Sequence, residues 1–254
     1  MLHSLSTDPP PMRPTLTPLL AALFTLILGA CAPHDEHATL RQAIQKWAGA
    51  ERHIESIRAA GFLDLYEVRM DGELFYSDAR GEHIFVGNVL DLERQRNLTQ
   101  ERQQELSRID FSALPLNLAA KQVRGNGRRV LATFEDPNCG YCRKLALELE
   151  KLDDVTVYTF LLPILSEDSV SKTRAIWCAP DRGRAWRDWI VSGRAPAASD
   201  CEAPVDALRA LGQKYNVTGT PTLFLADGQR IGGYVPADQL ERALSASASA
   251  RVAQ

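Results

Sequence analysis

From residue 38 to about residue 60, charged and apolar positions recur at helical period, with Leu40, Ile44 and Trp47 on one stripe. The pattern predicts a helical segment that buries this stripe against the strands that follow. Thr99 to Arg108, TQERQQELSR, is rich in helix formers but polar nearly all round, which suits a solvated connecting helix. Val130-Leu131-Ala132-Thr133-Phe134 is a short β-type run. Beyond it, Leu145, Leu149 and Leu152 recur at i, i+4 and i+7, while Arg143, Lys144, Glu148 and Lys151 take the other face of the same helix. Gly219 to Leu225 reads as a strand opened by the Thr220-Pro221 bond, where proline costs no ladder N–H. Asp227-Gly228 then signals a hairpin into a second strand through Ile231 to Tyr234. The Ser/Ala-rich end, Ser245 to Gln254, predicts a frayed tail.

The 254 residues are 45% apolar and 24% charged, enough for one large domain or two small ones, which disfavours both disorder and a polytopic membrane protein. With 29 basic and 32 acidic residues the net charge is −3, so the chain lacks the electrostatic footprint of a nucleic-acid binder. Its partners are expected to be proteins or small molecules. The five cysteines are an odd number, and each needs an assignment.

Leu16 to Leu28 is an apolar run of 13 residues, short of the roughly 20 that span a membrane. Arg13 precedes it and Gly29-Ala30-Cys31-Ala32 follows, the layout of an export signal. Met12 would serve as an alternative start. Leu28-Gly29-Ala30-Cys31 is similar to the bacterial lipobox, in which the cysteine is lipidated and becomes the first mature residue; a plain signal-peptidase site at Ala30-Cys31-Ala32 is the alternative. Cys31 is therefore expected to carry a lipid, and Ala32 after it leans toward the outer membrane. His34 and His37 in the following segment read as a solvent-facing spacer rather than metal ligands.

Cys139, Cys142, Cys178 and Cys201 remain, an even number that suits an oxidising compartment. Cys139-Gly140-Tyr141-Cys142 lies between the β-type run and the amphipathic helix, so Cys139 falls at a helix N-terminus. Unpaired N–H groups and the positive end of the helix dipole stabilise a thiolate there, which makes Cys139 the attacking group. Cys142, one turn inside, can close a small ring and expel a trapped partner. Haem attachment would need histidine where Arg143 stands. A zinc site would need Cys178 and Cys201 at irregular spacing, since His3, His34, His37, His53 and His83 all lie upstream. A plain structural disulfide is the remaining alternative.

The CxxC on a strand-to-helix turn, Gly-Thr-Pro opening a hairpin, and a last helix from about Pro236 to Leu244 together resemble the thioredoxin fold. The closer resemblance is to the DsbC family of bacterial periplasmic disulfide isomerases. It is carried by Cys139 to Leu145, Arg174-Ala175-Ile176-Trp177-Cys178-Ala179, Ala197-Ala198-Ser199-Asp200-Cys201, and Val217 to Pro221 on through Gly233-Tyr234. Upstream, Leu65 to Met70, the Asp71-Gly72 turn, Leu74-Phe75-Tyr76, and His83 to Gly87 with Asp91 resemble that family's β-rich dimerisation domain. The resemblance covers roughly residues 38–246.

After the signal peptide of lipoprotein type at 1–30 and the tether at 31–37 that the residues themselves suggest, it implies an α+β and α/β chain with a small cystatin-like dimerisation domain at 38–98. A linker helix at 99–115, a thioredoxin-like catalytic domain at 116–246 and a tail at 247–254 follow. Catalysis would fall to Cys139 and Cys142, and substrate binding to Gly140, Tyr141, Thr220 and Pro221. Cys178 and Cys201 would form a permanent disulfide beside a helical insertion at about Ser166 to Ser192, whose Trp177, Trp186 and Trp189 read as core packing. Gly87 would lie on a strand edge where two chains pair, or simply at a strand end. Thr133 stands where many thioredoxin-like reductases carry a buried acid. The proton acceptor for Cys142 would then be water or another group, with Glu135 and Asp136 as candidates that read more simply as solvated. Arg124, Arg128 and Arg129 with Gly125 and Gly127 read as an interdomain loop.

The activity so implied is isomerisation or reduction of non-native disulfides in exported proteins, without cofactor or metal, by a periplasmic homodimer re-reduced by a DsbD-like membrane reductase. The same chemistry would serve a DsbG-like reductase of oxidised single cysteines, and a lipid-anchored chaperone or binding module would use its cleft instead.

Overall fold

The computed structural model describes residues 36–195 and 201–252. Cys31, the export segment and Ala197-Ala198-Ser199-Asp200 lie outside them. The first helix, α1 (Ala38–Ala48), ends at Gly49, whose φ of 89° no helix continues. The helical period expected to about residue 60 therefore breaks, and residues 54–59 form a strand instead. Strands β1 (Ile54–Ala59), β2 (Tyr66–Met70), β3 (Glu73–Ser77) and β4 (Ile84–Phe85) make an antiparallel sheet in that order. Leu40 and Ile44 of α1 bury against Ile54, Val68, Met70 and Phe75, as the stripe predicts. Trp47 does not join them: it is 65% exposed, with its ring set edge-on to Phe75 at 6.4 Å between centroids. Asp71 and Gly72 both take positive φ, the requirement of the tight turn that joins β2 to β3.

Two short strands, β5 (Leu90–Asp91) and β6 (Arg96–Asn97), lead into α2 (Leu98–Leu106). This helix is held by polar contacts rather than by an apolar face. Glu67 on β2, 3% exposed, binds Arg58 at 2.6 Å and Arg102 of α2 at 3.1 Å. Burial alone would raise the Glu67 carboxyl, and the two guanidinium groups more than reverse it, so it stays below its ordinary range. Thr99, also buried, shares a 2.7 Å hydrogen bond with the Tyr76 hydroxyl. The linker helix expected across 99–115 stops at Leu106. Two 3₁₀ turns, Phe111–Ala113 and Leu116–Leu118, follow instead, because Asp110 caps the first and Pro115 interrupts the path. Ile109, Phe111, Leu116 and Leu118 from this stretch pack onto the next domain's core.

That domain is a five-stranded sheet formed by β7 (Ala120–Arg124), β8 (Arg129–Glu135), β9 (Val155–Leu161), β10 (Thr222–Leu225) and β11 (Arg230–Gly232). The spatial order is β11-β10-β8-β9-β7, with β8 and β9 parallel and the other pairs antiparallel. Strand alternation sends Leu131 to one face, where Leu145 and Leu149 of α3 (Gly140–Leu149) and Leu240 and Leu244 of α7 (Ala237–Val252) cover it. Ala132 and Phe134 point to the other face, against Leu208 and Leu211 of α6 (Val205–Lys214).

Between β9 and α6 stand α4 (Glu167–Trp177) and α5 (Arg182–Ser192), the expected helical insertion. Gly183 lets α5 lie directly on β7, since a Cβ there would come within 2.0 Å of the Lys121 carbonyl oxygen. Cys178 and Cys201 are disulfide-bonded, with Cα atoms 5.6 Å apart. Of the three tryptophans expected in the core only Trp186 is fully buried. Trp177 stacks under the Arg182 guanidinium at 3.4 Å, and Trp189 is half-buried for a reason given below.

Two further expectations fail. The basic cluster is not an interdomain loop but the connection from β7 to β8 within one domain. There Arg124 pairs with Glu150, and Arg129 with Glu241. The tail does not fray at residue 245 or 247, because α7 continues to Val252. Ser247 is buried there, and its hydroxyl accepts the Asp227 N–H at 3.0 Å.

Candidate active site

Strand β8 ends at Glu135, and three residues carry the chain to Cys139, the N-cap of α3. Asp136 builds this turn. Its side chain, fully buried, accepts the N–H of Asn138 at 2.7 Å and the Ser169 hydroxyl at 2.7 Å on one oxygen. The other oxygen accepts the N–H groups of Ile164 and Leu165 at 2.8 and 3.0 Å. One carboxylate thus ties the turn to the end of β9 and the start of α4. Trp189 of α5 donates its indole N–H to the Pro137 carbonyl at 2.7 Å, which explains its half-buried position. Lys172 of α4 lies over that ring at 4.3 Å and donates to Asn138 Oδ1 at 2.7 Å.

The turn presents the two cysteines differently. Cys139 Sγ accepts the Cys142 N–H at 3.3 Å and lies 3.3 Å from the Thr220 carbonyl oxygen, to which the thiol donates. Cys142 sits behind it with no exposed surface, packed among Ala146, Leu161, Ile176, Trp186 and Ile190. Burial pushes its thiol far above the ordinary range; the Glu135 carboxyl and the Cys139 sulfur add to the rise, and the Asp136 backbone opposes it. Gly140 and Tyr141 face solvent, Tyr141 at 60% exposure with the Lys144 ammonium over its ring at 4.9 Å. The Thr220-Pro221 bond is cis, and Pro221 accepts the Gly233 N–H at 2.8 Å, which fixes this loop to β11. The sequence-predicted residues Cys139, Gly140, Tyr141, Cys142, Thr220 and Pro221 therefore meet at one end of the sheet, whereas Cys178 and Cys201 are tied up in their disulfide.

Glu135 and Asp136, expected to be solvated, are both fully buried. Glu135 lies on the same face of β8 as Thr133, and its Oε1 accepts the Thr133 hydroxyl at 2.7 Å. Thr133 in turn lies 3.0 Å from the Thr159 hydroxyl on β9. Burial raises the Glu135 carboxyl to about 7, against the lowering effect of Thr133 and Thr159. The two-residue period of a strand is the signal that links positions 133 and 135; the charge of glutamate hid it.

A dithiol at the N-terminus of the helix after the central parallel strand, faced by a cis-proline loop, places this chain in the class of thioredoxin-fold dithiol proteins. A family model described as a thioredoxin-like domain matches residues 116–248, and one described as the disulfide bond isomerase protein N-terminal domain matches residues 31–100. The chain belongs to the DsbC family of thiol:disulfide interchange proteins. It is 49% identical over 180 residues to the probable thiol:disulfide interchange protein DsbC of Bordetella pertussis, covering 71% of this chain and 64% of that relative. This chain thus spans just under two thirds of that relative's length. It is 27% identical over 228 residues to the thiol:disulfide interchange protein DsbC of Escherichia coli K12, covering 87% of this chain and 93% of the other. Among solved structures, the disulfide interchange protein from Neisseria gonorrhoeae is similar, with 42% identity and a TM-score of 0.51 over 53% of this chain and 98% of that one.

Proposed function

We propose that this protein is a thiol-disulfide oxidoreductase that isomerises or reduces non-native disulfides in exported proteins. The observation that carries this is the placement of Cys139 Sγ at the N-terminus of α3, 3.3 Å from the Thr220 carbonyl, with Cys142 buried one turn behind. Cys139 attacks a substrate disulfide, forming a mixed disulfide and releasing one substrate thiolate. Thr220 and Pro221 offer the bound peptide strand-like backbone hydrogen bonds. A free substrate thiol then attacks the mixed disulfide in a new pairing, which is isomerisation and returns Cys139 reduced. Alternatively Cys142 attacks Cys139, which reduces the substrate and leaves the pair oxidised for a DsbD-like membrane reductase to restore.

The protein acts in the periplasm as a homodimer, held to the membrane by a lipid on Cys31. Support for the dimer comes from β4, an edge strand followed by the exposed Val86 and by Gly87, with Phe85 half exposed on the strand itself. The test is reactivation of scrambled ribonuclease by the wild-type chain and by Cys139→Ser. Activity in the wild type that vanishes in the variant supports the proposal, and equal reactivation by both proteins refutes it.

A further inference from the structure

Thr133, Glu135 and Thr159 form a polar group sealed from solvent, and Glu135 is paired across the sheet with Leu161, which shares an apolar cluster with Cys142. Only one Glu135 oxygen has a use in it: Oε1 accepts from Thr133, while Oε2 is buried without any hydrogen-bond partner. Buried carboxyl oxygens are seldom left in this state, and one that is stands ready to take a proton. Cys142 is a source of that proton. Its thiol is fully buried, feels the Glu135 charge, and must ionise before it can attack.

No other base is placed for the task among the described residues around the pair. In the turn just beyond the strand, Asp136 already accepts four donors. On α3, Tyr141, Arg143 and Lys144 are exposed, and Glu148 is taken up by Lys151, Tyr234 and the Ala237 N–H; Cys139, the N-cap, is occupied in the mixed disulfide. The apolar cluster that holds Cys142 draws Leu161 from β9, Ile176 from α4, and Trp186 and Ile190 from α5. Strand β10 sets Leu223 opposite Thr133.

Building on the proposed dithiol function, we propose that Glu135 is the proton acceptor for Cys142, doing from β8 what a buried acid at the Thr133 position does in many thioredoxin-like reductases. As Cys142 resolves a mixed disulfide, its proton passes to Glu135 Oε2 and the thiolate attacks Cys139 Sγ. The Cys139–Cys142 bond forms, the bond from Cys139 to the substrate sulfur breaks, and the substrate leaves as a thiolate that takes its proton from solvent. Two electrons pass from the pair to the substrate. Loss of Glu135 would lengthen the life of the mixed disulfide and shift the balance from reduction toward exchange with substrate thiols.

Single-turnover reaction of the reduced full chain with dithiobis(nitrobenzoic acid) separates the steps, since each attack releases one coloured thiolate. In Glu135→Gln the first release, from attack by Cys139, keeps its wild-type rate, while the second slows by about tenfold or more. The second release in the wild type accelerates as pH rises through about 7, where Glu135 ionises; the variant lacks this inflection, and Thr133→Asp added to Glu135→Gln restores it. An unchanged second release, or a slowed one that keeps its inflection, overturns the proposal, as does equal slowing of both steps. If the variant does not fold, carbon NMR of the wild-type Glu135 carboxyl decides. Its titration must move when the pair closes, and identical titration in the dithiol and disulfide forms overturns the proposal. A wild-type chain with no first release refutes the dithiol function itself.

Discussion

Replacing Glu135 by glutamine has a calculable effect on stability that is independent of turnover. The carboxyl is held at about 7 in the folded chain against an ordinary 4.5. At pH 8 the group must be ionised both folded and unfolded, so folding bears the whole difference, about 3 kcal/mol at 1.36 kcal/mol per unit. An acid raised by folding contributes its full stability below the unfolded value and loses it as pH climbs toward the folded one. The window is therefore roughly pH 4.5 to 7. Glutamine does not ionise, but its amide hydrogens enter a site where Oε2 had no partner, a cost of about 1–3 kcal/mol at every pH. The pH dependence of the difference isolates the ionisation. Urea unfolding of Cys139→Ser and Cys139→Ser/Glu135→Gln across pH 4 to 8 measures it, since Cys139→Ser keeps the pair open while Cys178–Cys201 stays oxidised. The variant is expected to gain about 3 kcal/mol relative to its parent between those limits. A difference that stays flat with pH would show that Glu135 is not desolvated as described, and the reasoning from its burial would fail.

Asp136→Asn replaces a four-bond acceptor with an amide that cannot serve all of Asn138, Ser169, Ile164 and Leu165. Orphaning two donors costs about 2–6 kcal/mol, measured as a lower urea midpoint, and a loss under about 1 kcal/mol would contradict the clamp. Cys178→Ala with Cys201→Ala opens a loop with a sequence separation of 23. The chain-entropy relation sets its loss at about 3 kcal/mol by denaturant titration, and an unchanged midpoint would mean the loop is ordered by other contacts.

The chemistry was legible because it is local. Cys139 to Cys142, the Leu145-Leu149 repeat and the Gly-Thr-Pro hairpin each occupy a few consecutive residues, so spacing alone places them on a turn, a helix and a strand. What escaped depends on distant cover. Trp47 fits the α1 stripe but projects past it into solvent, and Gly49 ends a helix that periodicity alone would have continued. Helix α2 has no apolar stripe, yet Arg102 and Thr99 anchor it through Glu67 and Tyr76. Glu135 and Asp136 look like surface charges until the helices packed on β8 and the end of β9 enclose them. The Ser/Ala-rich end reads as a frayed tail by composition, but alanine favours helix and Ser247 finds a partner in the Asp227 N–H.

In the proposed mechanism Cys139 attacks and Cys142 resolves. Incubating the Cys142→Ser chain with scrambled ribonuclease, quenching with an alkylating agent and mapping adducts by mass spectrometry tests it directly. A stable mixed disulfide to ribonuclease at Cys139 is expected, with Cys178 and Cys201 still joined to each other. Absence of that adduct, or a ribonuclease adduct on Cys178 or Cys201, would contradict it.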